Sequence, residues 1–138
     1  MAKGRILEVT LGNPPDNRLT PSMFLGLNEA ANRLESDDFD LLVITGSKRV
    51  FSKGFDVDLM MSLRDRTEFK PILVLFNTVF SRIARSTKLT IAVINGACMG
   101  GGLELAMACH FRVCAEKTRL GLPEVWIKLV PGLGGSIV

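Results

Sequence analysis

Glu104 and the glycines before it are the residues of this chain best suited to chemistry. Three consecutive glycines, 100–102, open a segment in which Glu104 is the only charged residue as far as Cys109. A helix that begins at glycines presents unpaired backbone N–H groups and a partial positive charge, and no side chain keeps a ligand oxygen away. Burying a carboxylate costs several kcal/mol unless it is paired, hydrogen-bonded or protonated, so a buried Glu104 is predicted to have a function. Backbone donors beside a carboxylate are what an acid/base active site requires.

A second acid, Glu124, lies between Pro123 and an apolar run, and a chain that carries both acids is predicted to use both. Spacing alone leaves other interpretations open. Glu124 fits equally well as a loop acid or as a first-turn helix residue that pairs with the helix dipole. The glycines fit close packing of a helix on a strand. A dinucleotide site is excluded, because no Gly-x-Gly-x-x-Gly pattern follows the first predicted strand.

Alternating strand and helix patterns are predicted to position these residues. Residues 5–11 form a first strand, and Thr20 caps a helix that has Pro21 in its first turn. The further predicted elements are a strand at 41–45, a helix from Phe69 to Ile83, a strand at 91–94, the glycine-opened helix and a strand at 111–115. This alternation predicts a layered α/β domain.

Length and composition limit the classes of protein to which the chain can belong. The 138 residues suit one domain, and 47% of them are apolar without a run long enough to span a bilayer. The first residues lead into a strand pattern rather than a signal peptide, so a cytoplasmic location is predicted. Residues 131–138 have the pattern of a helix that starts and does not finish, which indicates that the chain is truncated at its C-terminus.

Cysteines and basic residues add little chemistry. Cys98, Cys109 and Cys114 are an odd number without metal-ligand spacing, so they are predicted to be small apolar core residues. The net charge of +3 suits an anionic ligand or a nucleic acid but decides neither. The basic residues near one helix end, Arg82, Arg85 and Lys88, fit a solvated helix C-terminus or, alternatively, a phosphate-binding patch. The single histidine, His110, has no nucleophile near it in sequence and is predicted to be structural.

Four motifs occur in order along the chain. They are Phe51-Ser52-Lys53-Gly54-Phe55-Asp56, the segment from Ala92 to Ala106, Leu122-Pro123-Glu124, and Pro131-Gly132-Leu133-Gly134-Gly135. Each motif alone is weak evidence. Together, in this order and spacing, they closely resemble the enoyl-CoA hydratase/isomerase (crotonase) family across nearly all of the chain.

The resemblance implies an α/β fold, a crotonase-like (ClpP/crotonase) spiral of β-β-α units over residues 1–138, with the C-terminal helical part absent. It implies an acyl-CoA substrate, with coenzyme A as part of the substrate and no separate cofactor. It also implies assembly as a homo-trimer or homo-hexamer. No membrane is expected as a partner. Nucleic acid is not expected either, because the chain has no strand motif of aromatic and basic residues.

The resemblance also assigns roles to residues. In that family two backbone N–H groups hold the thioester oxygen, and by position these belong to Phe55 and Gly101. Two glutamates around a water align with Glu104 and Glu124. Members that only isomerise double bonds often lack the first acid, so the presence of both favours hydration, the reaction of an enoyl-CoA hydratase (a lyase). The implied substrate-binding residues are Lys53, Phe55, Asp56, Val57, Asp58 and Gly101, and no metal is implied.

Three residues depart from the family pattern. Lys53 and Phe55 occupy positions where small residues are common, so Phe55 is expected to narrow the acyl pocket and Lys53 to meet the phosphates of coenzyme A. Asp58 stands where basic or neutral residues are more common. The alternatives are another reaction of this family on an acyl-CoA (isomerisation, decarboxylation or hydrolysis) and a non-catalytic member that binds RNA or protein or is truncated.

Overall fold

Two parallel sheets and four helices form the part of the chain that the computed structural model describes, residues 4–47, 49–63 and 66–123. In chain order the elements are β1 (Ile6–Leu11), α1 (Pro21–Glu35), β2 (Leu41–Gly46), β3 (Val50–Ser52), α2 (Val57–Ser62), α3 (Arg66–Ala84), β4 (Leu89–Ile94), β5 (Ala97–Met99), α4 (Gly101–Ala108), β6 (Phe111–Cys114) and β7 (Leu120–Gly121). Within these ranges no helix has the length and apolar character needed to cross a membrane. The predicted α/β class is confirmed.

From β2 onward the strands alternate between the two sheets. The larger sheet has the order β1-β2-β4-β6 and the smaller has the order β3-β5-β7, and all neighbouring strands are parallel. Successive units run strand, strand, helix, because β2 and β3 precede α2 and α3, and β4 and β5 precede α4. In the first unit Leu19 makes an isolated parallel bridge to Phe55 in place of a second strand. This is the spiral of β-β-α units that the resemblance implies.

The alternation predicted from the sequence lacks the second strand of each unit. The strands β3, β5 and β7 contain three, three and two residues, which is too short for a pattern of alternating burial to be recognised. The helix α2, with six residues, escapes prediction for the same reason. The predicted elements therefore describe the larger sheet and the longer helices, while the smaller sheet is found only in the structure.

The core lies between the larger sheet and the helices α1 and α3. As predicted, Thr20 accepts a hydrogen bond from the Met23 N–H at 3.4 Å and Pro21 occupies the first turn, so α1 begins where its apolar stripe begins. The core cluster includes Phe24, Leu27 and Leu34 of α1, Phe76, Val79, Phe80 and Ile83 of α3, and Leu42, Ile44, Ala92 and Ile94 of the sheet.

Tight corners connect the two sheets. Gly46 at the end of β2 and Gly96 after β4 lie where a Cβ atom would overlap the backbone of residues 49–51. The Asn95 side chain joins these corners, because it accepts a hydrogen bond from the Gly46 N–H at 3.1 Å and donates one to the Gly46 carbonyl at 3.0 Å. These contacts fix the positions at which β3 and β5 begin.

The cysteines divide into two groups. Cys98 and Cys109 are buried, as predicted, and burial raises the pKa of each thiol to about 12. The same prediction is wrong for Cys114, which is exposed because β6 is the last strand of its sheet in the described part of the chain and all of its residues are exposed. His110, for which a structural role is predicted, accepts a hydrogen bond from the Thr90 N–H at its ring Nδ1, 3.1 Å away.

Candidate active site

The carboxyl ends of β3 and β5 lie side by side in the smaller sheet. These strands are parallel neighbours, with Ser52 opposite Cys98, so the turns that follow them emerge at one edge of the sheet. Gly54 in the first turn has a φ of +96°, a left-handed conformation that favours glycine. A Cβ atom there would lie 3.1 Å from the Met99 carbonyl oxygen and 3.2 Å from the Gly101 nitrogen. The two turns are therefore in direct backbone contact.

This contact brings two backbone donors together. The Leu19 N–H donates to the Gly54 carbonyl at 2.8 Å, and the Asp56 N–H donates to the Leu19 carbonyl at 3.2 Å. In such a parallel bridge the N–H of the intervening residue, Phe55, faces away from the partner strand. Gly101 is the first residue of α4, and its N-cap, Gly100, has no side chain that could accept a hydrogen bond from the Gly101 N–H. Neither N–H donates to an acceptor within the described ranges, so both are available at the positive end of a helix.

Glu104 is buried in the first turn of α4, as predicted, with 3% of its surface exposed. Its N–H donates to the Gly100 carbonyl at 3.0 Å, so the helix is regular from its start. The helix packs against β3, β5 and α3. Because helix side chains lean toward the N-terminus, the carboxyl group leans toward the turn that contains Gly101. The acid and the N–H donors therefore share one end of α4.

Gly102 serves helix packing. A Cβ atom at Gly102 would lie 2.6 Å from the Ser52 carbonyl oxygen and 2.7 Å from the Ser52 Cβ, so glycine lets α4 lie this close to β3. Ser52 is completely buried, and its Oγ accepts a hydrogen bond from the Gly54 N–H at 3.1 Å. Gly102 therefore permits the close packing of α4 on β3, and Gly101 presents the available donor. Sequence reasoning gave Ser52 no separate role.

Arg112 holds the opposite end of α4. Its guanidinium donates to the carbonyl oxygens of Ala106, Met107 and Cys109 at 3.3, 3.3 and 2.7 Å. A cation at the negative end of a helix is stabilising, so Arg112 supports the helix that carries the acid. Sequence reasoning missed this residue, although a basic residue shortly after a predicted helix was the available signal.

The side chain of Phe55 lies against the first residue of α4. A Cβ atom at Gly101 would lie 2.5 to 2.9 Å from three atoms of the Phe55 ring. That ring stacks on Phe76 of α3, with centroids 4.8 Å apart and an interplanar angle of 6°. Phe76 in turn stacks on Phe24 of α1 at 3.8 Å. Phe55 therefore supplies an N–H group and a ring whose position depends on two helices.

Lys53 forms an ion pair beside these turns. Its Nζ lies 2.8 Å from Asp16 Oδ1, and its N–H donates to the Asp16 carbonyl at 3.0 Å. Arg18 lies 3.8 Å from the other carboxylate oxygen of Asp16. The side-chain hydrogen bond from Lys53 is the main cause that lowers the pKa of Asp16 below its usual value. Lys53, expected at the phosphates of coenzyme A, thus already has an anionic partner that spacing did not reveal.

The other residues implied as substrate-binding follow Phe55 into α2. Asp56 Oδ1 accepts a hydrogen bond from the Leu59 N–H at 3.1 Å and so caps the start of this helix. Val57 and Asp58 are its first two residues, and both are exposed. An acid in the first turn is also favoured by the helix dipole. Asp56 and Asp58 therefore stabilise the start of α2, and this role does not depend on substrate binding.

Glu124, the second predicted acid, lies outside the described residues. The strand β7 pairs in parallel with β5, with Gly121 opposite Met99, and the Gly100 N–H donates to the Gly121 carbonyl at 2.8 Å. Residues 122–123 therefore leave the smaller sheet at the same edge as the two glycine-containing turns. The role of the second acid stays a prediction.

A surface cavity of about 390 Å³ lies apart from this site, between the ends of α1 and α3, and is lined by Arg82, Arg85 and Lys88. Arg82 pairs with Glu35 at 2.6 Å, and the Lys88 ammonium donates to the Phe39 carbonyl at 2.7 Å. Two of the three cations are therefore engaged within the protein. This favours the interpretation of these residues as a helix end over a phosphate-binding patch.

Known proteins share this sequence pattern. The sequence profile of the enoyl-CoA hydratase/isomerase family matches residues 1–138. A probable enoyl-CoA hydratase of Bacillus subtilis is 37% identical over 129 residues, which are 93% of this chain and 50% of that protein. The alpha subunit of the fatty acid oxidation complex of Idiomarina loihiensis is 41% identical over 124 residues, which are 87% of this chain and 18% of that protein.

Solved structures share the fold. An enoyl-CoA hydratase from Bacillus anthracis matches with a TM-score of 0.89 and 26% identity, over 99% of this chain and 54% of that one. An enoyl-CoA hydratase from Thermoplasma volcanium matches with a TM-score of 0.88 and 30% identity, over 99% of this chain and 55% of that one. The chain thus spans about half, or less, of the length of these relatives. With a profile match over its whole length and the same fold, the chain belongs to the enoyl-CoA hydratase/isomerase (crotonase) family.

Proposed function

We propose that this chain carries the thioester-binding part of an enoyl-CoA hydratase, which reversibly adds water to a trans-2-enoyl-CoA to give a 3-hydroxyacyl-CoA. One juxtaposition carries the proposal. The available N–H donors of Phe55 and Gly101 lie on touching backbones, at the end of the helix that buries Glu104. Family membership supports the same reaction class.

The two N–H groups are proposed to donate to the thioester carbonyl oxygen. Polarising that carbonyl makes the β-carbon of the conjugated double bond electrophilic. As water adds, negative charge gathers on the oxygen, where the donors stabilise it most. Removing one such donor typically costs about 3–4 kcal/mol of transition-state stabilisation. The positive end of α4 acts in the same direction.

The two acids are proposed to handle the protons. Glu104 takes a proton from the water whose oxygen bonds to the β-carbon, and the π electrons move onto the thioester as an enolate. Glu124 then gives a proton to the α-carbon, which re-forms the carbonyl and completes the syn addition. Each acid/base step is commonly worth about 10²–10⁴-fold in rate. Two neighbouring carboxyl groups titrate as a pair, so the pH profile belongs to both.

The setting of the reaction belongs to the same proposal. The family resemblance supports an acyl-CoA substrate, with coenzyme A as part of that substrate and no separate cofactor. It also supports a homo-trimer or homo-hexamer, and a cytoplasmic location is proposed with it. These statements concern the whole protein, since the chain spans only part of its relatives.

Hydration of crotonyl-CoA tests this function. The wild-type protein should remove the ultraviolet absorbance of the conjugated thioester and yield 3-hydroxybutanoyl-CoA. Glu104→Gln keeps the side-chain size but removes the base, so turnover should fall about 10²–10⁴-fold while thioester binding is kept. Glu116→Gln, at an exposed turn, is the matched control and should leave turnover unchanged. Full activity of Glu104→Gln, or a thioester that is isomerised and never hydrated, contradicts the assignment.

A further inference from the structure

The ring of Phe55 bears on which acyl groups the site accepts. We propose that this ring is a fixed wall of the acyl pocket and restricts the protein to short-chain acyl-CoA thioesters, an inference that rests on the proposed function.

The ring lies beside the first residue of α4, where the acyl group of the proposed substrate would leave the two N–H donors. A thioester oxygen about 2.9 Å from the nitrogens of Phe55 and Gly101 puts its carbonyl carbon about 1.2 Å farther on. The α- and β-carbons then have to reach Glu104, whose side chain leans back toward Gly101. Ring atoms of Phe55 already lie 2.5 to 2.9 Å from where a Gly101 Cβ would be. On this geometry the carbons beyond the β-carbon are expected to meet the ring.

The ring is held on several sides. Behind it lies Phe76, nearly parallel at 4.8 Å and only 2% exposed. Phe76 is backed by Phe24, which is completely buried and stacks on it at 3.8 Å. The Phe55 backbone is fixed by the hydrogen bonds of Leu19 to the residues on either side of it, at 2.8 and 3.2 Å. In a close-packed interior such a ring moves only if its neighbours move, so it acts as a wall and not as a gate.

A wall at this place selects on acyl length. A four-carbon enoyl group ends one carbon beyond the β-carbon, whereas an eight-carbon group has four more carbons to place. One methylene more or less in an apolar pocket commonly changes specificity about 10–200-fold. The wild-type protein should therefore prefer trans-2-butenoyl-CoA over trans-2-octenoyl-CoA in kcat/KM by at least about 10-fold.

Two variants of Phe55 and one control test the wall. Phe55→Ala should shift the ratio of the eight-carbon to the four-carbon kcat/KM by at least about 10-fold toward the longer substrate. Phe55→Leu keeps more of the apolar volume and should shift the ratio less, in the same direction. This second variant keeps the test possible if Phe55→Ala does not fold. Phe80→Leu is the matched control, because Phe80 also packs on Phe24 at 5.5 Å and is buried. It should leave the ratio unchanged. Affinities for butanoyl-CoA and octanoyl-CoA, measured by calorimetry, give the same comparison without turnover.

The outcomes separate this inference from the function on which it rests. A graded shift in the Phe55 variants, with none in Phe80→Leu, supports the wall. If the wild-type protein hydrates both substrates equally well, or Phe80→Leu shifts the ratio as much as Phe55→Leu, the wall is wrong and the hydratase function stands. If the wild-type protein neither binds nor hydrates either thioester, the proposed function falls, and the wall falls with it.

Discussion

Gly101→Ala tests whether the Phe55 ring and the two backbone donors form one unit. The new methyl group would lie 2.5, 2.7 and 2.9 Å from three ring atoms, whereas carbon atoms pack at about 3.5–4.0 Å. The ring must therefore retreat by about 1 Å. Phe76, parallel to it within 6° at 4.8 Å, leaves no room for that retreat, so the backbone of Phe55 has to move.

Stability and turnover should both respond to this substitution. Overpacking of this kind costs about 1–3 kcal/mol of unfolding free energy. Alanine at position 101 keeps its N–H group, so the number of donors is unchanged and only their positions differ. A misplacement of about 1 Å near the reacting atoms can lower a rate about 10²-fold. We therefore expect kcat/KM for crotonyl-CoA to fall by about that factor.

Thermal unfolding and crotonyl-CoA hydration, measured on the same preparations, check both expectations. Gly26→Ala is the control, since a Cβ atom at Gly26 in α1 would meet nothing within 4 Å. It should keep kcat/KM and raise the unfolding free energy by up to about 1 kcal/mol. In the double variant Gly101→Ala/Phe55→Ala the clash is gone, so part of the lost turnover should return, with a coupling of about 0.5–3 kcal/mol. Wild-type turnover and stability in Gly101→Ala refute the reasoning, as does a double variant without any recovery.

Three further expectations concern the surroundings of the site. The Asp16 carboxyl should titrate below 3.8, because Lys53 hydrogen-bonds its charged form. The stability that this ion pair contributes should be complete above pH 3.8 and should disappear as the pH falls through the lowered pKa. A carbon NMR titration checks this, and Lys53→Met should raise the value toward 3.8. Arg112→Met loses three hydrogen bonds at the carbonyl end of α4, a loss of about 1 kcal/mol of unfolding free energy that should lower Tm by roughly 3–5 °C. Arg119→Met, at an exposed position, is the control and should leave Tm unchanged. Equal Tm values for the two variants in calorimetry would oppose this role of Arg112. Cys114 should react with a maleimide at neutral pH while the two buried thiols, with a pKa of about 12, stay unmodified; two or more adducts by native mass spectrometry contradict this.

Local patterns were enough to predict the burial of Glu104 and the start of its helix. The apolar neighbours of Glu104 and the glycines before it are adjacent in sequence, and helix formation depends mainly on such neighbours. The cap at Thr20 was predictable for the same reason. Predictions of this kind succeed where each structural cause lies within about one turn of its effect.

Ser52 and Asp16 show where local patterns stop being sufficient. Ser52 packs on Gly102 because β3 and the start of α4 meet in space, and those elements are far apart in the chain. Asp16 and Lys53 pair across a comparable distance in sequence. The three strands of the smaller sheet are too short to show a period, so no pattern pointed to the edge where these residues meet.

At Phe55 the backbone and the side chain are positioned by different contacts. The direction of its N–H follows from the turn at Gly54 and from the bridge to Leu19, and a short motif is enough to suggest it. The direction of its ring follows from Phe76 and Phe24, which belong to two other helices. The donor at this position therefore does not depend on the identity of the side chain, whereas the position of the ring does depend on its neighbours. Catalysis by a backbone group leaves the side chain of the same residue free to set specificity, which is why a bulky residue is compatible with the proposed chemistry here.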